Sequence, residues 1–467
     1  MSDDVPGAPK LRPFWGLALA NTLSNITIPL ASLTDVAVLG RLPNPEPLAA
    51  VAFAGVIFDY LLWSLGFLRM GVTSETACAW GSDNGSQLRN TLREHLVLAA
   101  VLGLVMLASA PGILALSEYA LTPAPSLFAD LRAYFSARIL GAPCALVNYV
   151  IIGWLLGLGH SRAALALAVA GKGLHAALNF ILVLHWGQGA AGVGYADTAG
   201  QVSITIGGAL YISSLILWRR LPTPDDGEAG ASRRPHGYRM FIADVRLSLR
   251  RLLRLLASHS DLFVRTLMLI TAFALLVRLS ASTSVLMVAA TSLWLRVFTL
   301  MSFLIGGPGL AIEPYAGVLW ARGQPAVLHA RLRQVLGVAL LVSVIAIAAL
   351  AAAPLFWLGL LTTLPELSAP ALTLLPGLLL TLLFSGTACV YDGLFLGLGQ
   401  ARILRNATTL SFVGFGVVVA VASFSGSAVG LWYAIAVLMA GRTFTLAYGW
   451  RGLMRVAPQP FAITPAH

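Results

Sequence analysis

The sequence predicts an all-α integral membrane protein with about twelve transmembrane helices, arranged as two pseudo-symmetric six-helix bundles around a central cavity. Three observations predict it. Of 467 residues, 58% are hydrophobic and only 10% are Asp, Glu, Lys or Arg, against roughly 25% charged in soluble domains. Apolar runs of bilayer-spanning length recur along the whole chain, and an internal repeat divides them into halves. This composition excludes a soluble enzyme, a disordered chain and a disulfide-stapled secreted scaffold. The net charge of +11 then belongs to loop topology, and no nucleic-acid partner is expected.

Uninterrupted apolar stretches place spans near 14–39, 48–80, 94–116, 127–157, 163–186, 192–218, 259–281, 284–319, 332–358, 369–398, 404–424 and 428–456. Spans 48–80, 127–157 and 284–319 exceed the usual ~17–25 residues and are expected to tilt or project from the bilayer. Asp3 and Asp4 precede the first run, which is too long for a signal core, so no cleaved leader is expected. The loops alternate in charge. Arg89 and Arg93, Arg162, the 219–258 segment, Arg322 to Arg333, and Arg402 with Arg405 fall on one side, while 187–191 and 425–427 hold no basic residue. By the positive-inside rule both termini face the cytosol. The predicted organisation is a tail 1–13, a bundle 14–218, a basic linker 219–258 in which 240–256 can form an amphipathic helix, a bundle 259–456 and a tail 457–467. Cys78, Cys144 and Cys389 lie in apolar stretches and read as small hydrophobes. No disulfide, metal site or cofactor is expected.

Gly153-Trp154-Leu155-Leu156-Gly157-Leu158-Gly159-His160 returns as Gly393-Leu394-Phe395-Leu396-Gly397-Leu398-Gly399-Gln400, an offset of 240. A weaker match pairs Phe67-Leu68 and Gly71 with Phe303-Leu304 and Gly307 at an offset of 236. Six spans per half return the chain to its starting side, so the halves share one orientation, as in alternating-access transporters.

Polar residues inside the spans mark the function. Asp35 lies deep in the first span, and Asn21, Ser24, Asn25, Ser32 and Asp35 fall on an arc of about 100° of one helix face. Pro29 removes a backbone donor there and favours a bend. Lys172, His175 and Asn179 share a face of the fifth span, and Asp197 and Gln201 a face of the sixth. An acid in hydrocarbon costs roughly 2.5–3.5 kcal/mol, so it faces a bundle interior or wet cavity and pairs there. Asp59, Arg69 and Glu75 occupy the second span without sharing one face. Asp392 precedes the repeated glycine motif, where packing or gating is the default. No Gly-x-Ser-x-Gly, His-Glu-x-x-His or Gly-x-x-x-x-Gly-Lys-Ser/Thr motif occurs, so an enzyme is not expected.

With Ser24-Asn25-Ile26-Thr27-Ile28-Pro29-Leu30, Asp35 to Gly40, Phe67-Leu68-Arg69-Met70-Gly71, Gly141-Ala142-Pro143, Asn148-Tyr149, Gly153-Trp154, Arg265-Thr266, Ala311-Ile312-Glu313 and Asp392 to Gly397, the chain resembles the multidrug and toxic compound extrusion (MATE) family, in its DinF-like branch. The resemblance implies two six-helix bundles and export of organic cations or other amphipathic compounds in exchange for H⁺ or Na⁺. Its first-helix acid, matching Asp35, is the expected ion-binding group, with bending of the first helix following its charge change. The family's fifth-helix acid is missing: His175 and Asn179 stand at its Asn-x-x-x-Asp arrangement. Asp197 replaces a common Thr, Asp59 a common Asn, Ala20 a Pro and Gly306 an Asp. The expectation is a relocated ion-coupling cluster of Asp35, Asp197, His175 and Asn179, with Lys172 and His175 favouring H⁺. Asn25, Asp59, Trp63, Arg69, Asn148, Tyr149, Trp154, Lys172 and Gln201 are candidate cavity residues, and Pro29 and Asp392 conformational ones. Expected partners are membrane lipids and small organic substrates, with the protein acting as a monomer in a bacterial inner membrane. The alternative is a flippase of lipid-linked saccharides or other lipids, kept open by Arg69, Lys172, Arg278 and Arg296.

Overall fold

The computed structural model describes residues 14–39, 41–43, 46–121, 127–217, 259–359, 365–424 and 426–455, with 253, 256 and 257 besides. The two tails, nearly all of the linker and its expected amphipathic helix at 240–256 lie outside the described residues. Every regular element among the described residues is helical, and two compact units result. Among the described residues, one holds 23–217 with His259, the other 14–22 with 260–455. In the second unit the Phe14 ring packs edge-on to Tyr315 at 5.1 Å, and Thr22 fills the space that glycine leaves at Gly307.

The first unit comprises α1 (Phe14–Leu39, from Leu23 onward), α2 (Glu46–Ser64), α3 (Phe67–Gly81), α4 (Gly85–Ala108), α5 (Ala110–Leu121), α6 (Phe128–Ile139), α7 (Ala142–Gly157), α8 (Ser161–Asn179) with a π-helical turn Phe180–His185, and α9 (Gly189–Leu217). The second comprises α10 (Ser260–Thr283), α11 (Val285–Ala321), α12 (Pro325–Ala352), α13 (Pro354–Gly359), α14 (Ser368–Gly397), α15 (Ala401–Phe424) and α16 (Ala428–Arg455). Joining helices across their short breaks yields, among the described residues, six helical segments in each half. Where the sequence predicts one long span, the chain often breaks. Span 48–80 divides at Leu65-Gly66, where the Gly66 N–H turns back to the Trp63 carbonyl at 3.0 Å. Span 94–116 starts earlier, at Gly85, because the Asn84 side chain caps the Gln87 N–H at 3.0 Å; it breaks at Ser109, just before Pro111. Span 127–157 bends by 46° between α6 and α7, with Pro143 in the first turn of α7 where its missing N–H costs nothing. Span 332–358 breaks before Pro354. By contrast α11 runs unbroken for 37 residues through Pro308 and Pro314.

In the first unit α3 and α4 pack on α7, while α6 and α8 pack on α9. A core of Phe58, Leu131, Tyr134, Phe135 and Ile139 fills the space between α2 and α6. In the second unit α14 packs on α11 and α16 around Trp294, Phe415 and Trp432.

The repeat has a packing reason. A Cβ on Gly153 would meet the Arg69 carbonyl at 2.7 Å, and one on Gly157 the Thr73 carbonyl at 2.8 Å. In the second half Gly393 lies against the Gly309 carbonyl and Gly397 against the Glu313 carbonyl. Each glycine and its partner recur 240 positions on, and so do the helix ends: His160 N–H bonds the Leu155 carbonyl and Gln400 N–H the Phe395 carbonyl. The offset of 236 read from Phe67 and Phe303 is thus one helical turn out of register. A slip of four residues preserves the helix face, so composition alone does not detect it. Gly159 and Gly399 take φ of +72° and +67°, closing α7 and α14 in the left-handed conformation that glycine adopts freely.

These two kinds of glycine respond differently to alanine. Gly159→Ala faces open space and should cost about 1 kcal/mol of backbone strain. Gly397→Ala drives a methyl into the Glu313 carbonyl and should cost roughly 3 kcal/mol. Thermal unfolding of the detergent-solubilised protein ranks the two.

Candidate ion-coupling site

On α8, Lys172, His175 and Asn179 follow i, i+3, i+7 and present one face. Glycine lets that face reach α9: a Cβ on Gly200 would lie 2.8 Å from the Gly171 carbonyl and 3.2 Å from the His175 Cβ. A further close approach, Gly194 against the Tyr134 carbonyl at 2.8 Å to its hypothetical Cβ, seats α6 on α9. Asp197 therefore stands between α6 and α8, with Asp35 near the last turn of α1 completing the group. Asp35 lies four residues from the end of its helix.

Asp197 is buried and doubly paired. The Lys172 ammonium donates to Oδ1 at 3.0 Å and the Arg138 Nε–H to Oδ2 at 3.2 Å. Arg138 also donates to the Tyr134 hydroxyl at 2.6 Å and lies over the Phe58 ring, 4.5 Å from its centroid. Asp35 has a different shell: the Asn179 amide donates to Oδ1 at 2.6 Å, and His175 Nε2 lies 3.1 Å from the same oxygen. His175 Nδ1 is 3.8 Å from Asp197, beyond hydrogen-bonding range, and is buried without a hydrogen-bond partner among the described residues. One imidazole thus stands between two carboxylates. Asp59, on the exposed side of α2, is within Coulombic reach of Arg138. Three carboxylates face two permanent cations, so one proton on His175 or Asp35 brings the cluster to neutrality.

All four predicted coupling residues meet here, joined by Lys172 from the cavity set. Arg138, the second cation on Asp197, is missing from the sequence reading. It sits in a span whose bend conceals its face, and the one available hint is an arginine inside an apolar run.

The other candidates divide. Trp154 is a correction: it is 1% exposed, with its indole N–H donating to the Leu88 carbonyl at 3.1 Å, so it packs α7 on α4 and has no face for a cargo. Asn148 is another. Its amide donates to the Gln201 carbonyl and side-chain oxygen, both at 2.9 Å, and accepts from Thr205 at 2.8 Å; Asn148 and Gln201 fasten α7 to α9. Trp63 is exposed, Arg69 half-buried, and Tyr149 half-buried with its hydroxyl on the Leu62 carbonyl at 3.3 Å. The side chains of Asn25 and Pro29 lie outside the described residues. In the second unit the buried Asp392 accepts from both Arg265 and Arg442, a closed ionic node.

The coupling cluster has no copy in the second half. With the helix starts Ser161 and Ala401 aligned, Lys172, His175 and Asn179 correspond to Phe412, Phe415 and Val419; the Phe412 and Phe415 rings pack 5.4 Å apart in the core. The offset then falls by one, since the positive-φ Gly187 corresponds to Gly426. The extra residue of the first half is absorbed by the π-helical turn directly after Asn179, a feature that often marks functional sites.

The MatE family model matches residues 21–181 and 262–422. Over 444 residues the chain is 29% identical to the DNA damage-inducible protein F of Escherichia coli K12, spanning 94% of this chain and 92% of that one. It is 23% identical over 218 residues to the multidrug resistance protein PmpM of Pseudomonas aeruginosa, 45% of each chain. Among solved structures, an outward-facing multidrug resistance MATE family transporter of the MOP superfamily superposes with a TM-score of 0.77 at 19% identity, covering 95% of each chain. A MOP superfamily transporter from Pyrococcus furiosus gives 0.78 at 19% identity over the same shares. Fold and matches together define a multi-pass membrane transporter and not an enzyme. The chain belongs to the MatE family, the family of multidrug efflux transporters.

Removing one partner of a largely buried ion pair strands the other. Arg138→Met and Lys172→Met should each lower stability by about 3 kcal/mol, and combining either with Asp197→Asn should recover part of that loss. A thermal-unfolding double-mutant cycle reads the coupling.

Proposed function

We propose that this chain exports amphipathic, chiefly cationic organic compounds by alternating access, in exchange for H⁺. The observation that carries the reading is the unequal charge balance of two neighbouring carboxylates. Asp197 has two permanent cations as partners and acts as a fixed counter-ion. Among the described residues the hydrogen-bonding partners of Asp35 are an amide and an imidazole, so proton exchange falls to Asp35 and His175, a narrower assignment than the four-residue cluster expected from sequence. A proton arriving from outside cancels the cluster's surplus charge and loosens the hold of Asn179 and His175 on the end of α1. Its release inside restores that hold together with a negative charge that attracts a cation. The proton can only shift the balance of the two states by binding them unequally. Na⁺ favours a dense shell of oxygens, whereas the described partners of Asp35 are nitrogens. The exposed Trp63 and half-buried Tyr149 offer aromatic surfaces for cargo. Lys172, one of the four cations that keep a lipid-saccharide flippase open, is occupied by Asp197. The reading places the protein as a monomer in a bacterial inner membrane with both termini cytoplasmic and H⁺ as its one required ion.

Proteoliposomes loaded with a fluorescent organic cation test this. An imposed H⁺ gradient should drive transport, and a Na⁺ gradient at constant pH should not. Asp35→Asn should reduce transport to the level of empty liposomes, and His175→Gln should slow proton-driven transport while leaving binding of the cation intact. Transport driven by Na⁺ alone, or full activity in Asp35→Asn, would falsify proton exchange at Asp35.

A further inference from the structure

A second cluster in the first unit lies apart from the coupling site and takes no part in it. Glu75 on α3, His95 on α4 and His259, the last residue of that unit, bring one ligand atom each to within 4.8 Å of one another. The two imidazole Nε2 atoms are 3.0 Å apart. Glu75 Oε1 is 3.7 Å from His259 Nε2, and Oε2 is 3.9 Å from His95 Nε2. From this geometry we infer a binding site for a first-row divalent cation of the Zn²⁺ type, which clamps the end of the inter-half linker to α3 and α4.

Four features converge. First, the donor set is two imidazoles and one carboxylate, a combination that suits Zn²⁺ and its neighbours better than Mg²⁺ or Ca²⁺, which favour oxygen alone. Second, the spacing is right: metal–ligand bonds of about 2.0–2.1 Å in a tetrahedral shell separate the ligand atoms by roughly 3.3 Å, between the 3.0 and 3.9 Å found here. Third, His95 Nδ1 lies 2.8 Å from the Thr91 carbonyl one turn earlier. Donating its N–H there leaves a lone pair on Nε2 aimed at the cluster, the outer-shell arrangement that orients metal-binding histidines. Fourth, the pocket is built to hold the His259 ring. His95 is fully buried and His259 5% exposed, and a Cβ on Gly71 would lie 2.7 Å from His259 Nδ1, so only glycine admits the ring at that position. Glu94 adds a further negative charge within Coulombic reach of Glu75. The ligands come from positions 75, 95 and 259, too widely spaced to form a sequence motif, so the expectation of no metal drawn from the cysteines misses them.

The competing explanation is a bare N–H···N hydrogen bond between two neutral histidines, which needs no metal. Full-length protein, stripped with EDTA and exchanged into chelator-free detergent buffer, separates the two. Titration with Zn²⁺ against a chromophoric indicator should give one equivalent per chain. Co²⁺ should produce the intense visible bands of a four-coordinate nitrogen–oxygen site. His95→Ala and His259→Ala should weaken Zn²⁺ by at least about 100-fold, since even outer-shell changes cost 10–100-fold. Gly71→Ala, which keeps every ligand and displaces the His259 ring, should weaken it as well and serves if the histidine variants fail to fold. No bound equivalent in the parent, or equal affinity in the parent and Gly71→Ala, overturns the site in favour of the hydrogen bond.

Discussion

A carboxylate inside the bilayer must be neutralised, and Asp197 is neutralised twice. Everything around it serves that requirement. Lys172 and Arg138 come from two helices that both pack on α9, and both approach closely because Gly171, Gly194 and Gly200 lack side chains. Arg138 is itself held over Phe58 and bonded to Tyr134, so the ion pair is tied into the apolar core between α2 and α6. Breaking a pair of this kind is expensive because it leaves a charge stranded in a poor solvent. The pairing is therefore a fixed frame, beside which Asp35 is held by the Asn179 amide and the His175 imidazole.

The two halves share a backbone plan and differ in polar content. Equivalent glycines let α7 sit on α3 and α14 on α11, and equivalent left-handed residues end the helices. Yet the helix positions that hold Lys172, His175 and Asn179 in the first half are filled by phenylalanines and a valine in the second. The second half buries two acids, Glu313 and Asp392, the latter locked between Arg265 and Arg442, and among the described residues no imidazole stands between them. The arrangement of an imidazole between two carboxylates is thus confined, among the described residues, to one half, and the one-residue insertion taken up as a π turn falls next to it. A duplicated scaffold supplies the architecture; the site is a departure from the duplication.

His259 illustrates how far sequence distance and spatial distance diverge. It closes the long charged segment between the halves, yet its ring lies against Gly71 and beside His95, residues more than 160 positions earlier. A buried pair of histidines beside a glutamate needs either a direct N–H···N bond between the rings or a bridging cation, and the proposed site is the second of these.

The membrane class, the six-plus-six segment plan and the glycine repeat were all legible in the sequence, because hydrophobic run length and close-contact glycines are local properties that any bilayer-embedded helix must display. The face of α8 was legible for the same reason: three residues at helical spacing share a side whatever their surroundings. Helix breaks at Gly66, Ser109 and Ala353 were not, since an apolar run continues across a break that only backbone hydrogen bonding defines. Trp154 and Asn148 read as cavity residues until the packing of α4, α7 and α9 consumed them. Arg138 gained its role only when α6 was laid beside α9. The tertiary structure alone decided which acid is doubly ion-paired and which has an amide and an imidazole as its partners, because charge compensation depends on distances of about 3–4 Å between helices, and no spacing along the chain encodes those.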